Sequence, residues 1–289
     1  MNYCFGVDIG GTTVKIGLFE ETGTIVEKWE IPTNTLADGE AILPDIAFSL
    51  KTKIEERKLS EEDILGIGVG VPAPVTAEGI VNGSANLGWK YKEVKKEMEE
   101  LTGLKAYIGN DANVAALGEM WKGGGAGEKN MIMVTLGTGV GGGVIIDGKM
   151  LVGNNGAGGE IGHICVNYEE NDRCGCGNKG CLEQYASATG IVRLAEQKLK
   201  TEKRETILNK AAITAKDVFD AVKAGDEVAG ARTNLTFSKA GEVLIPYIEK
   251  PYKERAFFAD KNVRFVLAQL GNDAGICGSA KLVLDEKKN

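Results

Sequence analysis

The chain has 289 residues, which is long enough for two domains of ordinary size. Its 34 basic and 41 acidic side chains give a formal net charge of -7, which argues against a broad basic surface for nucleic acid. The chain has no long uncharged apolar run, and its start, MNYCFGVDIGG, lacks the basic residues of an export signal. We therefore predict a cytoplasmic protein without a membrane partner.

The first half alternates between strand and helix patterns. Apolar and polar residues alternate in three successive segments, as in a three-stranded meander: YCFGVDI, VKIGLFE and TIVEKWEI. Apolar residues then recur every four positions from Ile42 to Ile54, as in an amphipathic helix. LGIGVGVPAPV has the pattern of a buried strand. A charged helix near 90–102, the strand AYIG and a helix from Asp111 to about Lys122 complete this half.

The second half repeats the opening pattern. GGGAGEKN, at 123–130, is the best candidate boundary, so we predict one α/β domain over 1–122 and a second over 123–289, whose last helix can pack back on the first. Three further strand patterns then follow: MIMVTLG, GGGVIID and KMLVG. They are offset by about 127 residues from the first meander. Duplicated domains around a cleft explain the offset; the alternative is that any two meanders look alike.

Two glycine turns present backbone N–H groups and threonine hydroxyls. GTGVGGG matches a dinucleotide-binding pattern, but a strand follows it instead of the required helix, and no Walker A sequence is present. Facing each other, the turns could hold phosphates, while Asp8 holds Mg²⁺ through water and Lys15 contacts a phosphate. The alternative is that the glycines only serve the turns. The residues concerned are Gly10, Gly11, Thr12, Thr13, Gly137, Thr138 and Gly139.

A metal-ligand pattern surrounds the single histidine of the chain. His163, Cys174, Cys176 and Cys181 form a common tetrahedral Zn²⁺ set, whereas a redox use of the Cys-x-Cys pair would leave the histidine without a role. Glu160 and Glu183 flank the cluster, and they either support the metal ligands or accept hydrogen bonds from a polyol. The other cysteines, Cys4, Cys165 and Cys277, are expected to be buried small apolar residues.

Asp111 lies in AYIGNDAN, where a strand ends and a helix begins. An aspartate at such a place can cap the helix, and it can also be a catalytic group at the carboxyl end of a strand. The sequence leaves both interpretations open.

Four motifs are specific in combination: DIGGTTVK, GNDAN, LGTGVGGG through GEIGH, and CGCGNKGCLEQYAS. Together they resemble the ROK family (repressors, open reading frames and sugar kinases), and most closely its bacterial glucokinases. The resemblance implies an actin-like, ribonuclease-H-like pair of α/β domains that close around ATP and a hexose. It also implies a homodimer or tetramer.

The resemblance implies a role for each matching residue. Asp111 corresponds to the general base that takes the proton of the attacking sugar hydroxyl, and His163 both binds zinc and contacts the sugar. Phosphoryl transfer needs positioning and charge stabilisation, which the glycine turns, Mg²⁺ and Lys15 could supply. The expected sugar contacts are Asn86, Asn110, Glu160, His163 and Glu183.

One stretch departs from the family. In typical members, about 25 to 30 further residues stand between the two segments that are joined directly here by DEVAGARTNLTFSKAGEV. Those residues include a core strand, and the loss of a core strand leaves backbone groups unpaired. Either the nucleotide half is impaired or the molecule holds residues that the sequence skips.

The leading hypothesis is an ATP-dependent glucose kinase of glycolysis. The alternatives are a kinase for another hexose or N-acetylhexosamine, a catalytically impaired sugar-binding protein, and a sugar-responsive repressor, which the acidic charge and Asp111 disfavour.

Overall fold

The structure, a computed structural model, describes residues 2–201, 204–208, 212–230, 244–257 and 262–287. Two compact units are present: one contains Met1–Met133, Gly142–Gly159 and Ala268–Asn289, and the other Val134–Gly141 and Glu160–Leu267. The units interleave along the chain, whereas the sequence predicts a single boundary after Lys122. The departure from the family between Ala229 and Ser238 lies largely outside the described residues.

The first unit is built on a five-stranded sheet with the order β3-β2-β1-β4-β5. β1 pairs antiparallel with β2 and parallel with β4, so the meander continues into a parallel arrangement. This mixed sheet confirms the predicted α/β class. Its strands are β1 Tyr3–Ile9, β2 Thr13–Glu20, β3 Ile25–Pro32, β4 Ile64–Val71 and β5 Ala106–Asn110.

Helices cover this sheet. They are the short turn α1 Leu36–Gly39, then α2 Ile42–Arg57, α3 Val94–Thr102 and α4 Asp111–Lys122. The charged helix predicted near 90–102 begins only at Val94, because the chain before it forms two antiparallel bridges, Val81 with Lys92 and Ser84 with Trp89. The helix predicted from Asp111 is confirmed.

The last helix of the first unit, α10 Ala274–Glu286, packs on glycines. A β-carbon added to Gly6 of β1 would lie 2.1 Å from the carbonyl oxygen of Ile276, and one added to Gly68 of β4 would lie 1.8 Å from that of Ser279. The Ser279 hydroxyl donates to the carbonyl of Val7 at 2.8 Å. Helix and sheet therefore approach at backbone distance, which side chains would prevent.

The second sheet has the order β6-β7-β8, from β6 Met131–Leu136, β7 Val140–Ile146 and β8 Lys149–Met150. The strand predicted for KMLVG is only two residues long. Val140 and Ala186 pack in the second unit with Ile191 and Val218. The helices of this unit are α5 Glu183–Ala186, α6 Ala188–Thr201, α7 Ala215–Lys223, α8 Glu227–Gly230 and α9 Leu244–Arg255.

Among the described residues, no helix has the length and apolar character needed to cross a membrane.

Candidate functional site

The first glycine turn joins β1 to β2 and is fixed by the end of β3. Gly10 N–H donates to the Thr13 carbonyl at 3.0 Å, which closes the turn. Thr33 donates its hydroxyl to the Gly10 carbonyl at 2.7 Å and its N–H to the Thr12 carbonyl at 2.9 Å. These bonds leave Gly11 and Thr12 exposed at the tip of the turn.

Asp8 and Lys15 are directly opposite each other in the β1–β2 ladder. Burial raises the pKa of Asp8 above its usual value, and the positive charge of Lys15 opposes that shift by favouring the carboxylate. Helix α10 lies against the same carboxylate, since a β-carbon on Gly275 would stand 2.5 Å from Asp8 Cγ. A glycine in α10 therefore provides the room that the Asp8 side chain occupies.

Asp111 begins α4 at the carboxyl end of β5, but it does not cap the helix. The N-cap is Asn110, whose Oδ1 accepts from the backbone N–H of Asn113 at 3.1 Å and whose Nδ2 donates to the Ala73 carbonyl at 3.2 Å. Asp111 Oδ1 accepts from the N–H of Ala112 at 2.7 Å. The capping interpretation of Asp111 is therefore wrong, and the cap is supplied by its neighbour.

Asn86 is exposed in a turn between Ser84 and Trp89, whose backbones form a bridge. The position of a β-carbon on Gly11 lies 3.7 Å from Asn86 Cβ, so this asparagine is beside the first glycine turn. The turn between β1 and β2 and the segment between β4 and α3 thus meet here.

The second glycine turn, at Gly137–Gly139, lies against Glu183 and the start of α6. Gly137 N–H donates to the Gly139 carbonyl at 3.0 Å, and Ala188 N–H donates to the Gly137 carbonyl at 2.9 Å. Glu183 Oε2 accepts from the N–H of Val140 at 2.9 Å. A β-carbon on Gly139 would come within 2.3 Å of that oxygen, so the close approach of Glu183 depends on this glycine.

The predicted metal ligands converge in the second unit. The ligand atoms of His163, Cys174, Cys176 and Cys181 all lie within 4.8 Å of one another. The sulfur atoms of Cys176 and Cys181 are 3.7 Å apart, and Cys174 Sγ is 3.9 Å from His163 Nδ1. Ligand atoms about 2.3 Å from a tetrahedral Zn²⁺ are separated by about 3.8 Å, so both the spacing and the donor types fit this ion.

His163 has different neighbours at its two ring nitrogens. Nδ1 faces the cysteine cluster, while Nε2 lies 3.9 Å from Glu160 Oε2. On the other side of the cluster, Cys174 Sγ donates to Glu183 Oε1 at 3.5 Å. The second unit therefore brings Glu160, Glu183 and the four ligands together, as the spacing predicts.

None of the six cysteines forms a disulfide. Cys4 and Cys277 are buried, and burial raises the pKa of their thiols to about 12 and about 11. Their predicted role as small apolar residues is confirmed, whereas Cys165 is only half-buried.

Sequence reasoning missed the side chains that support the metal loop, including Glu170, Gln184, Tyr185 and Arg193. Glu170, Gln184 and Tyr185 lie within or next to the metal-ligand segment, and Arg193 follows Cys181 by twelve residues, but the spacing does not show that these side chains contact one another. Buried Asn113 was missed as well; its Nδ2 donates to the Gly158 carbonyl at 3.0 Å.

The chain is similar to known proteins over nearly its whole length. A sequence model described as "ROK family" matches residues 4–250. A glucokinase from Halalkalibacterium halodurans is 41% identical over 317 aligned positions, which cover 98% of this chain and 96% of that protein. A glucokinase from Thermotoga maritima is 34% identical over 96% of both chains.

Solved structures agree with these matches. The ROK family glucokinase from Streptomyces griseus, determined in complex with glucose and AMPPNP, is 30% identical with a TM-score of 0.71, over 97% of this chain and 99% of that one. The ROK hexokinase from Thermus thermophilus is 26% identical with a TM-score of 0.81, over 99% and 100% of the two chains.

Proposed function

This chain belongs to the ROK family, and on that premise we propose that it transfers the γ-phosphoryl group of ATP to a hexose, with glucose as the first substrate and glucose 6-phosphate as the product. The observation that carries the proposal is the 41% identity to a glucokinase over 98% of the chain. The position of Asp111, at the carboxyl end of β5, supports it.

Asp111 is the proposed general base. Its carboxylate accepts the proton of the sugar hydroxyl as the hydroxyl oxygen attacks the γ-phosphorus and the bond to ADP breaks. A carboxylate within hydrogen-bond reach of the attacking hydroxyl can accept its proton, which is the role of a general base. Because Asn110 caps α4, the role of Asp111 is separable from helix capping.

Sugar hydroxyls are bound by Asn86, Asn110, Glu160, His163 and Glu183. When His163 Nδ1 is bound to a metal, its Nε2 carries the proton and can donate to a sugar oxygen. In the same state Glu183 Oε1 becomes available to accept from a sugar hydroxyl, because Cys174 loses the thiol proton that it donates to Oε1.

The phosphate groups are bound by the two glycine turns through backbone N–H groups, and by Lys15. Asp8 is the proposed water-mediated contact to Mg²⁺, which neutralises phosphate charge when bound. Burial raises the pKa of Asp8, and the positive charge of Lys15 opposes that shift by favouring the ionised form that this contact requires.

Zn²⁺ is held by His163, Cys174, Cys176 and Cys181, and its contribution is to fix the loop that carries them. The donor set and the spacing of the ligand atoms support this assignment.

A sugar panel tests the proposal. Purified protein with MgATP is offered glucose, mannose, fructose, N-acetylglucosamine and N-acetylmannosamine, and ADP release is followed, with Asp111→Asn as the control for contaminating kinases. ADP release with glucose above the other sugars is expected. Turnover of another hexose without turnover of glucose would overturn the glucose assignment.

A catalytically impaired sugar-binding protein is the second candidate. The alignment with the Halalkalibacterium halodurans glucokinase runs over 317 positions, 28 more than the 289 residues of this chain, so this chain lacks residues that the relative has. Calorimetry with glucose and with AMPPNP separates the candidates: glucose binding without nucleotide binding would establish the second. An intact mass decides whether the molecule has the length of the sequence.

The predicted homo-oligomer and cytoplasmic location stay predictions. Light scattering during gel filtration measures the first directly.

A further inference from the structure

Arg193, on α6, makes three hydrogen bonds to two segments around the metal cluster. Its Nη1 donates to Asp172 Oδ2 at 3.1 Å, and its Nη2 donates to Glu170 Oε2 at 3.1 Å and to the Gln184 carbonyl at 3.1 Å. The guanidinium also lies 5.6 Å from the centre of the Tyr185 ring. One side chain thus connects the loop before Cys174 to the residue after Glu183.

Glu170 is the most heavily bonded partner of Arg193. Its Oε2 accepts from the Tyr185 hydroxyl at 2.5 Å, and its Oε1 accepts from the N–H groups of Asn171 and Asp172 at 2.9 and 3.0 Å. Its side chain is only 12% exposed. The carboxylate therefore shapes the loop as well as binding the arginine.

Gln184 makes a parallel connection. Its Nε2 donates to the Asp172 carbonyl at 3.0 Å, and its Oε1 accepts from the N–H of Cys181 at 3.1 Å. The segments leading to Cys174 and Cys181 are therefore both tied to the turn that begins with Glu183.

These contacts differ from an ordinary surface ion pair. In the Arg204–Glu227 pair the side chains are 52% and 85% exposed, and pairs of this kind contribute little to stability. Arg193 is 25% exposed, and its planar guanidinium binds acceptors in two segments, which a lysine ammonium cannot reproduce.

We propose that Arg193 is a positioning residue for the metal cluster and the sugar site: it holds the loop from Asn167 to Cys174 and the Glu183 turn in the geometry that binds Zn²⁺ and sugar, and it touches neither ligand. The sugar part rests on the proposed kinase function. The metal part does not.

The experiment compares zinc release and kinetics in Arg193→Met, Arg193→Lys and the wild type, with Arg204→Met as the matched control. Release into a chromophoric chelator measures metal retention without any turnover. Changes to the side chains behind metal ligands typically cost about 10 to 100-fold in metal affinity, so zinc release should accelerate by that factor in Arg193→Met. The KM for sugar should rise while kcat stays within about threefold of wild type, because the arginine does not contact the reacting groups.

Arg193→Lys should recover only a minor part of the loss, since one ammonium cannot bind all three acceptors. Tyr185→Phe, which removes one hydroxyl, should accelerate zinc release by a smaller factor, and it replaces Arg193→Met as the test if that variant does not fold.

Three results would each overturn the proposal. They are zinc release and KM unchanged from wild type in Arg193→Met, full recovery in Arg193→Lys, and a wild-type protein that holds no zinc. Faster zinc release from a protein that phosphorylates no sugar would uphold the metal part and reject the kinase function.

Discussion

The contact between α4 and α10 makes Gly278→Ala a sharp test of the packing of the first unit. A β-carbon on Gly278 would lie 1.6 Å from the Val114 carbonyl oxygen and 3.0 Å from the Gly118 nitrogen. Ordinary contact begins near 3.4 Å, so the helices must separate by about 1.8 Å. The obstacle is the main chain of α4, which no rotamer change can relieve.

Two opposing effects set the sign. Alanine inside a helix is favoured over glycine by about 1 kcal/mol, so without the clash the variant would be more stable than wild type. Overpacking costs about 1–3 kcal/mol and more where backbone must move. Taking the cost at or above the upper end, we expect the free energy of unfolding to fall by about 2 kcal/mol or more.

Urea unfolding followed by circular dichroism measures this change, with Gly109→Ala as the matched control. A β-carbon on Gly109 meets only side-chain carbons at 3.5 Å or beyond, so that variant should stay within about 1 kcal/mol of wild type. Because α4 begins with Asp111, turnover should fall with stability in Gly278→Ala. A Gly278→Ala protein as stable as wild type would refute the reasoning, since it would mean that the two helices can separate at no cost.

Three further predictions concern single side chains. Asp111→Asn should lower kcat by about 10² to 10⁴-fold with sugar affinity kept, measured by ADP release and glucose calorimetry, and a near wild-type rate would remove the general-base role. Cys176→Ser should lose the single zinc equivalent, measured by elemental analysis, and should weaken sugar binding; a zinc-free protein that binds glucose normally would break that link. Hydrogen bonds from Tyr185 and from the backbone of Asp172 hold the pKa of Glu170 at about 2, against 4.5 when unfolded, so its stabilisation is complete above pH 4.5 and is lost as the pH falls toward 2. Glu170→Gln should flatten the pH dependence of urea stability in that window for zinc-free protein, whereas exposed Glu169→Gln should not.

Local patterns were sufficient where the residues of an element carry their own signal. The meander of β1 to β3 and the helix from Asp111 to Lys122 follow from alternation and periodicity. The four metal ligands follow from residue type and spacing, because few arrangements other than a metal site use three thiols and an imidazole together.

Contacts between distant segments could not be predicted in this way. Periodicity shows which face of α6 is apolar, but it does not show that Arg193 reaches Glu170, 23 residues earlier. The sequence left the capping interpretation of Asp111 open for a related reason, because Asn110 and Asp111 are both good caps and only the backbone shows which one is outside the helix.

The position of α10 in the first unit has a consequence for synthesis of the protein. Cys4 and Phe19, near the start of the chain, are covered by Ile276 and Ala280 of that helix. About 140 residues separate Met133 from Ala274, so at 5–20 residues per second the ribosome needs roughly 7 to 28 s to supply the covering helix. During that interval the nascent sheet exposes an apolar face, and the first unit can complete its core only after Ala274–Glu286 has been synthesised.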